Sequence, residues 1–551
     1  PLSTRKKESR VTQWWQEAVG YQIYPKSFLD SNSDGIGDIA GIEQKVDYLK
    51  QLGVGFVWLS PFYPSPNVDN GYDISDYQNV DPAYGDLPSL LALFAKLHAA
   101  GIKVIIDLVV NHTSDQHHWF QEARSSRTNP YHDWYIWKPG KNGQVPNNWQ
   151  SIFKGPAWTY NAATDEYYMH TFASAQPDLN WENPKVRAAV YKMIRWWLDQ
   201  GIDGFRIDAI GHIKKLQTFA DVAQSDEAYT NVHGLFDYLK ELRDIFREYP
   251  IMTVGEAGEV TPTEALPWVN FQTGFMNMIF TGDHINFWES DGASSLTVPK
   301  LAHALTKWQE QLAGKAWNAL FVENHDLPRA INVYGDPVHY RTRSAKAIAL
   351  MYFLLQGTPY IYQGQELGMT NYPWRSVDQM NDLAAKQEYA FRLHEGQTAT
   401  AALQAVSDHS RDNARTPMQW TATGGFTAGR PWLPVNKNTV DVNVAAEMAD
   451  SNSVWHFYQQ LIALRAGHAA LITGDYRPVL IDDDQIFAYR RVGAAEEFLI
   501  VVNLSGRTAA MPAAATSFNG QRLMQTTTLG QADELPPYGG AVYQRARKAR
   551  D

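Results

Sequence analysis

The chain contains no cysteine, which excludes disulfides and thiol catalysis together. No apolar run approaches the roughly 18–20 residues of a membrane-spanning helix. A surplus of positive charge is also missing. The 59 acidic residues against 48 basic ones give a formal net charge of -11, which argues against nucleic acid and anionic membranes as partners. The start, PLSTRKKESRVTQWW, is basic but lacks the apolar stretch of a signal peptide, so a cytoplasmic home is expected. Internal repeats and low-complexity tracts are absent too. What is present is 551 residues, 44% hydrophobic and 13% aromatic, enough for a large core and one or two smaller domains. The 19 Trp and 28 Tyr suit either dense packing or stacking on the apolar faces of sugars.

Short β-prone runs alternate with helical patterns. The runs cover 19–28, 56–60, 103–112, 204–210, 251–257, 275–280, 319–326 and 358–366. Between them SLLALFAKLHAAG carries apolar residues at helical spacing and ends on Gly101. NPKVRAAVYKMIRWWLDQG opens with Asn183 as N-cap and Pro184 in the first turn, and ends on Gly201. Eight strands with intervening helices predict a (β/α)8 TIM barrel, an α/β fold, rather than an open sheet. Residues 114–183 are far longer than an ordinary connection of roughly 2–6 residues and read as a loop-rich domain inserted after strand three, over the mouth. A second insertion, 368–430, follows strand eight. Beyond it RPVLI, QIFAYRRV and FLIVVNLSG alternate like strands, so 474–551 is expected to be a C-terminal antiparallel β-sandwich. The barrel would then occupy 1–113 and 184–473.

Catalytic groups of barrel enzymes sit at the C-terminal ends of strands. Those ends hold Asp107 and His112, Arg206 and Asp208, Glu256, then His325 and Asp326. One acidic residue at a strand end is more often a helix cap or turn former. Several at one mouth raise each other's pKa and reduce stability, which a fold seldom keeps without a use. In GFRIDAI, Arg206 and Asp208 lie two residues apart and share a strand face. A nucleophilic carboxylate must stay ionised and aimed, and the guanidinium is expected to do both. Glu256 has no adjacent cation in sequence, which suits a proton donor. Asp208 as nucleophile with Glu256 as acid/base is the pairing retaining glycosidases use, their carboxylates about 5–5.5 Å apart.

DLVVNH, GFRIDAI, VGEA and FVENHD are similar, in order and spacing, to the four signature regions of the α-amylase superfamily. NGYDISDY, QPDLNWENP and RDNARTPMQW resemble its oligo-1,6-glucosidase and α-glucosidase branch. The resemblance implies the barrel, the insertion and the C-terminal sandwich. It implies Asp208 as nucleophile, Glu256 as general acid/base and Asp326 as the carboxylate that binds ring hydroxyls and stabilises the transition state. Tyr72, His112, Phe172, Arg206 and His325 fall around the reacting sugar. Asp73 and Arg415 match the pair that grips the far hydroxyls of the terminal glucose, closing the pocket for exo-action. Glu323 stands where relatives often carry Asn and is expected beside the pocket.

DSNSDGIGD places Asp30, Asn32 and Asp34 at alternate positions, followed by Gly35 and Asp38. This is an oxygen-rich, glycine-turned pattern, with the Ile36 carbonyl as a further ligand, though Gly41 replaces the bidentate Glu of an EF-hand. The resemblance makes it a structural calcium loop rather than a plain polar turn. Ala209 follows the nucleophile. In similar enzymes Val there goes with α-1,6 bonds and Ala or Thr with α-1,4, and no Lys follows FTGDH in FTGDHINFWES, where dextran-type glucosidases carry one. The expected substrate is therefore a short α-1,4-linked oligosaccharide, handled by a monomer. Competing readings are an oligo-1,6-glucosidase, a sucrose isomerase or transglucosidase, and a phospho-sugar hydrolase using His212, Lys214 and Lys215 of GHIKK. A non-catalytic transporter partner or a sugar-binding protein would not need three crowded carboxylates.

Overall fold

Eight short parallel strands run in chain order around a barrel: β1 (Gly20–Ile23), β2 (Phe56–Leu59), β3 (Lys103–Val109), β4 (Gly204–Asp208), β5 (Met252–Glu256), β6 (Met278–Phe280), β7 (Ala319–Leu320) and β8 (Thr358–Tyr362). The computed structural model describes residues 12–289, 292–529 and 534–547; the basic start up to residue 11 and Ser290 of FTGDHINFWES lie outside them. The hydrogen-bonded ladder passes from β7 through β8 and β1 to β6. At the seam between β6 and β7 the Asn318 side-chain oxygen accepts the Ile279 N–H at 3.1 Å. The expected (β/α)8 barrel is therefore present.

The strands are buried on both faces, as parallel strands covered by helices must be. Phe56, Trp58, Ile105, Val254, Phe280, Phe321 and Tyr360 fill the barrel. The helices cover the outside with one apolar stripe each. In α1 (Leu87–Ala99), Asp86 caps the first turn by accepting the Ser89 N–H, and Leu90, Leu93, Phe94 and Leu97 are buried. In α2 (Pro184–Asp199), Asn183 accepts the Lys185 N–H, and Val186, Val190, Ile194 and Trp197 face the sheet.

Between β3 and α2 lies a three-stranded antiparallel sheet of Trp137–Lys138, Glu166–Met169 and Trp158–Asn161. A bridge pairs His112 with Asp178, tying this insert to the C-terminal end of β3, and a second, Tyr135 with Leu179, lies within the insert. After β8 come the helices Leu383–His394, Ala399–Ser407 and Asp412–Arg415. Towards the C-terminus, five antiparallel strands form one sheet, and Ala509–Ala510 pairs with Glu534–Leu535 in a second. Arg491, buried in the larger sheet, donates to the carbonyls of Leu354 and Gly474 and so anchors that sheet on the barrel.

Candidate active site

Strand register brings the first carboxylates together. Asp107 on β3 is level with Arg206 on β4, and Ile207 is level with Gly255 on β5, which sets Glu256 beside Asp208. Arg206 Nη1 lies 2.7 Å from Asp107 Oδ1 and 2.7 Å from Asp208 Oδ1, while Nη2 lies 2.9 Å from Glu256 Oε2. The Ala209 N–H donates to the same Glu256 oxygen at 3.0 Å, and Trp58 Nε1 donates to Asp107 Oδ2 at 2.7 Å. One fork of donors thus fixes three carboxylates, and Trp58 and Tyr72 lie against its faces.

This corrects the sequence-based reading of the pair. Arg206 is not private to Asp208, and Glu256 does have a cation beside it, brought by β4 and invisible in its own sequence neighbourhood. Burial pushes the Asp208 carboxyl well above the usual range, with Glu256 and Asp107 adding to it and Arg206 opposing. Burial likewise raises Asp107 to about 6 against the pull of Arg206. One guanidinium faces three carboxylates in a buried site, which favours the protonated form of Asp208 and Asp107.

Asp326 stands on different terms. Arg415 Nη2 lies 2.8 Å from its Oδ1, Arg411 Nη1 3.6 Å from the same atom, and His325 Nε2 3.1 Å from Oδ2. Burial raises its pKa, but His325 and the guanidiniums of Arg415, Arg411 and Arg206 outweigh it and hold Asp326 well below the ordinary value. His325 is stacked on Tyr72 with ring centroids 5.2 Å apart, and its Nδ1 meets Gln22 Nε2 at 2.8 Å. Burial pushes this imidazole down to about 3, so it is neutral.

Asp73 and Arg415, expected to grip the far hydroxyls of the terminal glucose together, are not paired with each other. Asp73 is buried and accepts the N–H groups of Val68 at 2.8 Å and Asp69 at 3.0 Å, while Arg415 serves Asp326 and the His325 carbonyl. Burial lifts Asp73 to about 6. Four residues earlier in each motif, Asp69 and Arg411 are paired at 3.1 Å. Gln176 then links Asp69 to His112, at 3.1 and 3.2 Å. Asp69 and Arg411 are the residues sequence reasoning missed. The signal lay at and just before the quoted motifs, since Asp69 directly precedes NGYDISDY and RDNARTPMQW holds both Arg411 and Arg415, and only folding shows which two meet.

Phe172 packs edge-on to His112 at 5.2 Å and borders His212. Ala209 is buried at the end of β4 with φ 45° and ψ 35°, a left-handed turn that aims its N–H at Glu256. The cations of GHIKK have partners: His212 Nδ1 meets the Tyr229 carbonyl at 3.0 Å, Lys214 binds Glu182, and Lys215 lies 2.7 Å from Asp178. None is left waiting for a phosphate. Glu323 is buried, and its carboxylate is taken by Arg329 at 2.6 Å and the Ala330 N–H at 2.9 Å.

In the loop 30–38, Asp30 accepts the N–H groups of Asn32, Ser33 and Gly35, and Asp38 accepts those of Ser31 and Gly41. Asn32 and Asp34 each accept the N–H two residues on, and both are exposed. Gly35 has φ 94°, and a Cβ there would lie 2.0 Å from the Arg430 carbonyl. The donor set of carboxylates, an amide oxygen and a carbonyl fits a hard cation that prefers oxygen. The acidic groups point at loop amides rather than one point, and no group of three or more acidic or histidine side chains converges as a metal site among the described residues.

A family model described as the alpha amylase catalytic domain matches residues 22–474. The chain is 49% identical over 507 residues to the probable oligo-1,6-glucosidase 3 of Bacillus subtilis (strain 168), covering 90% of this chain and 92% of that protein. It is 42% identical over 552 residues to an alpha-glucosidase of Pediococcus pentosaceus, covering 97% and 99%. Among solved structures, the trehalose-6-phosphate hydrolase of Bacillus licheniformis superposes with a TM-score of 0.91 at 40% identity, covering 97% of this chain and 100% of that one.

Proposed function

The chain belongs to the alpha-amylase catalytic-domain family and is a glycoside hydrolase, and from that premise we propose an exo-acting, retaining α-glucosidase that removes terminal glucose from short malto-oligosaccharides. The observation that carries this is Arg206, whose two terminal nitrogens bind Asp208 and Glu256. The two carboxyl groups are joined through one guanidinium and two hydrogen bonds, an arrangement compatible with the about 5–5.5 Å of a double displacement.

Glu256 Oε2 is held by Arg206 and Ala209, so Oε1 is the atom that delivers a proton to the glycosidic oxygen. Asp208 Oδ1 is held by Arg206, leaving Oδ2 to attack the anomeric carbon. The C–O bond to the leaving sugar breaks as the ester bond to Asp208 forms. Water, deprotonated by Glu256, then attacks the same carbon and frees Asp208, or a second sugar does so and gives transfer. Asp326, kept ionised by Arg415 and Arg411, supports the positive charge that develops on the ring and accepts its hydroxyls. Asp69 and Arg411, with Gln176 and His112 beside them, close the far end around a terminal residue. A cytoplasmic home and a calcium ion held by Asp30, Asn32, Asp34, the Ile36 carbonyl and Asp38 are part of the same proposal; no helix among the described residues is long and apolar enough to cross a membrane.

The α-1,4 preference rests on Ala209. Ala209→Val would narrow the space beside the leaving group and would put a β-branched residue at positive φ, at about 1–2 kcal/mol. Rates on maltose, isomaltose, sucrose and trehalose test both claims. Maltose is expected to lead for the native enzyme, and the substitution is expected to move the ratio towards isomaltose. Isomaltose leading in the native enzyme would make this an oligo-1,6-glucosidase, and a ratio unmoved by Ala209→Val would remove that residue as the determinant.

A further inference from the structure

Glu323 is a buried carboxylate that the proposed chemistry does not use, and its surroundings show where it acts. It lies just beyond β7 and holds Arg329, which is fully buried and spends its remaining donors on backbone. Arg329 Nη1 donates to the Gln363 carbonyl at 2.8 Å, Nε to the Asn413 carbonyl at 3.3 Å and Nη2 to the Ala414 carbonyl at 3.1 Å. Gln363 directly follows β8. Asn413 and Ala414 belong to the one-turn helix Asp412–Arg415, which ends on Arg415 and is preceded by Arg411. The carbonyls at the end of so short a helix have no partners within it, and a planar fork can collect two of them at once where a lysine could not. A buried guanidinium needs a counter-charge, and Glu323 supplies it.

We propose that Glu323, acting through Arg329, is a positioning residue that sets the Asp412–Arg415 helix so that Arg411 meets Asp69 and Arg415 meets Asp326. Neither Glu323 nor Arg329 touches substrate. The inference deepens the glucosidase reading and rests on it for its kinetics, but its main readout is equilibrium binding of glucose by calorimetry.

Glu323→Gln and Arg329→Lys are expected to weaken glucose binding about 5–20-fold and to raise the KM for maltose by the same factor, because the Asp69–Arg411 grip on the far hydroxyls serves ground and transition states alike, and to lower kcat as well, because Arg415 holds the Asp326 that supports the transition-state charge. The double variant Glu323→Gln/Arg329→Met removes both buried charges and so avoids the unpaired ion that could prevent folding. It is expected to show the same weakening, since the planar fork no longer joins the carbonyls of 413 and 414, and the separate Tyr362 and Thr416 hydroxyls that remain on them do not tie the helix to Glu323. A double variant that binds glucose and turns over maltose like the native enzyme, with only a lower Tm, would make the pair a strut and overturn the inference. Native enzyme that neither binds glucose nor cleaves maltose would overturn the glucosidase reading and this inference with it.

Discussion

Arg206 decides the chemistry at the scale of single residues. It is one cation among Asp107, Asp208 and Glu256, and on the proposed mechanism the excess of negative charge would keep a proton available to a leaving sugar. The arrangement trades stability for function, so removing one carboxylate should not harm the fold. Asp208→Asn is expected to lower turnover of maltose by at least about 10⁴-fold, in the range seen when a nucleophile is lost, while Tm stays equal or rises. A rate within tenfold of native would take Asp208 out of its role. Asp326 shows the opposite design, one carboxylate among several cations, and it remains ionised where Asp208 and Asp107 are drawn upward.

Elements are held together by buried carboxylates of a different kind. Glu366, in the one-turn helix Gln365–Leu367 after β8, accepts Tyr21 Oη from β1 and Tyr48 Oη from the helix Val46–Leu52, both at 2.6 Å, and the Gly364 N–H at 2.8 Å. Burial raises its pKa to about 7. Because the folded value lies above the unfolded one, its contribution is fully present below about pH 4.5 and is lost as pH rises through 7, a change of ~3 kcal/mol. Glu366→Gln is expected to lower stability at every pH, since its NH2 would face the Gly364 N–H, and yet to flatten the decline between about pH 4.5 and 7 in denaturant titrations. An unchanged slope would assign that decline to other groups. The loop 30–38 joins elements far apart in sequence: Asp30 N–H donates to the Phe426 carbonyl, and Trp432 N–H to that of Gly35. With calcium bound at about 100 times its Kd, chelation is expected to remove about 2.7 kcal/mol, lowering Tm reversibly. A Tm insensitive to chelator would mean that the loop's own amide bonds suffice.

Across the whole molecule, the barrel was legible because each of its strands is a short apolar run and several end in acid, His or Arg. Asp208, Glu256 and Asp326 were legible for the same reason. Relations across long stretches of chain were not. Asp69 meets Arg411 across 342 residues, and within each motif nothing in the spacing favours those two over Asp73 and Arg415. The link from Arg206 to Glu256 depends on the register of β4 against β5, and the role of Glu323 on a one-turn helix some ninety residues further on. Charge counting from near neighbours therefore gave Arg206 one partner where the fold gives it three. The central claim is that Asp208 and Glu256 flank one bond closely enough for two successive inversions. NMR of the glucose released from maltose in the first minutes tests it directly. The reducing-end glucose leaves with maltose's own anomer mixture, so the account predicts that early product holds α-glucose in excess of the equilibrium share and then mutarotates; an early excess of β-glucose over that share would contradict it.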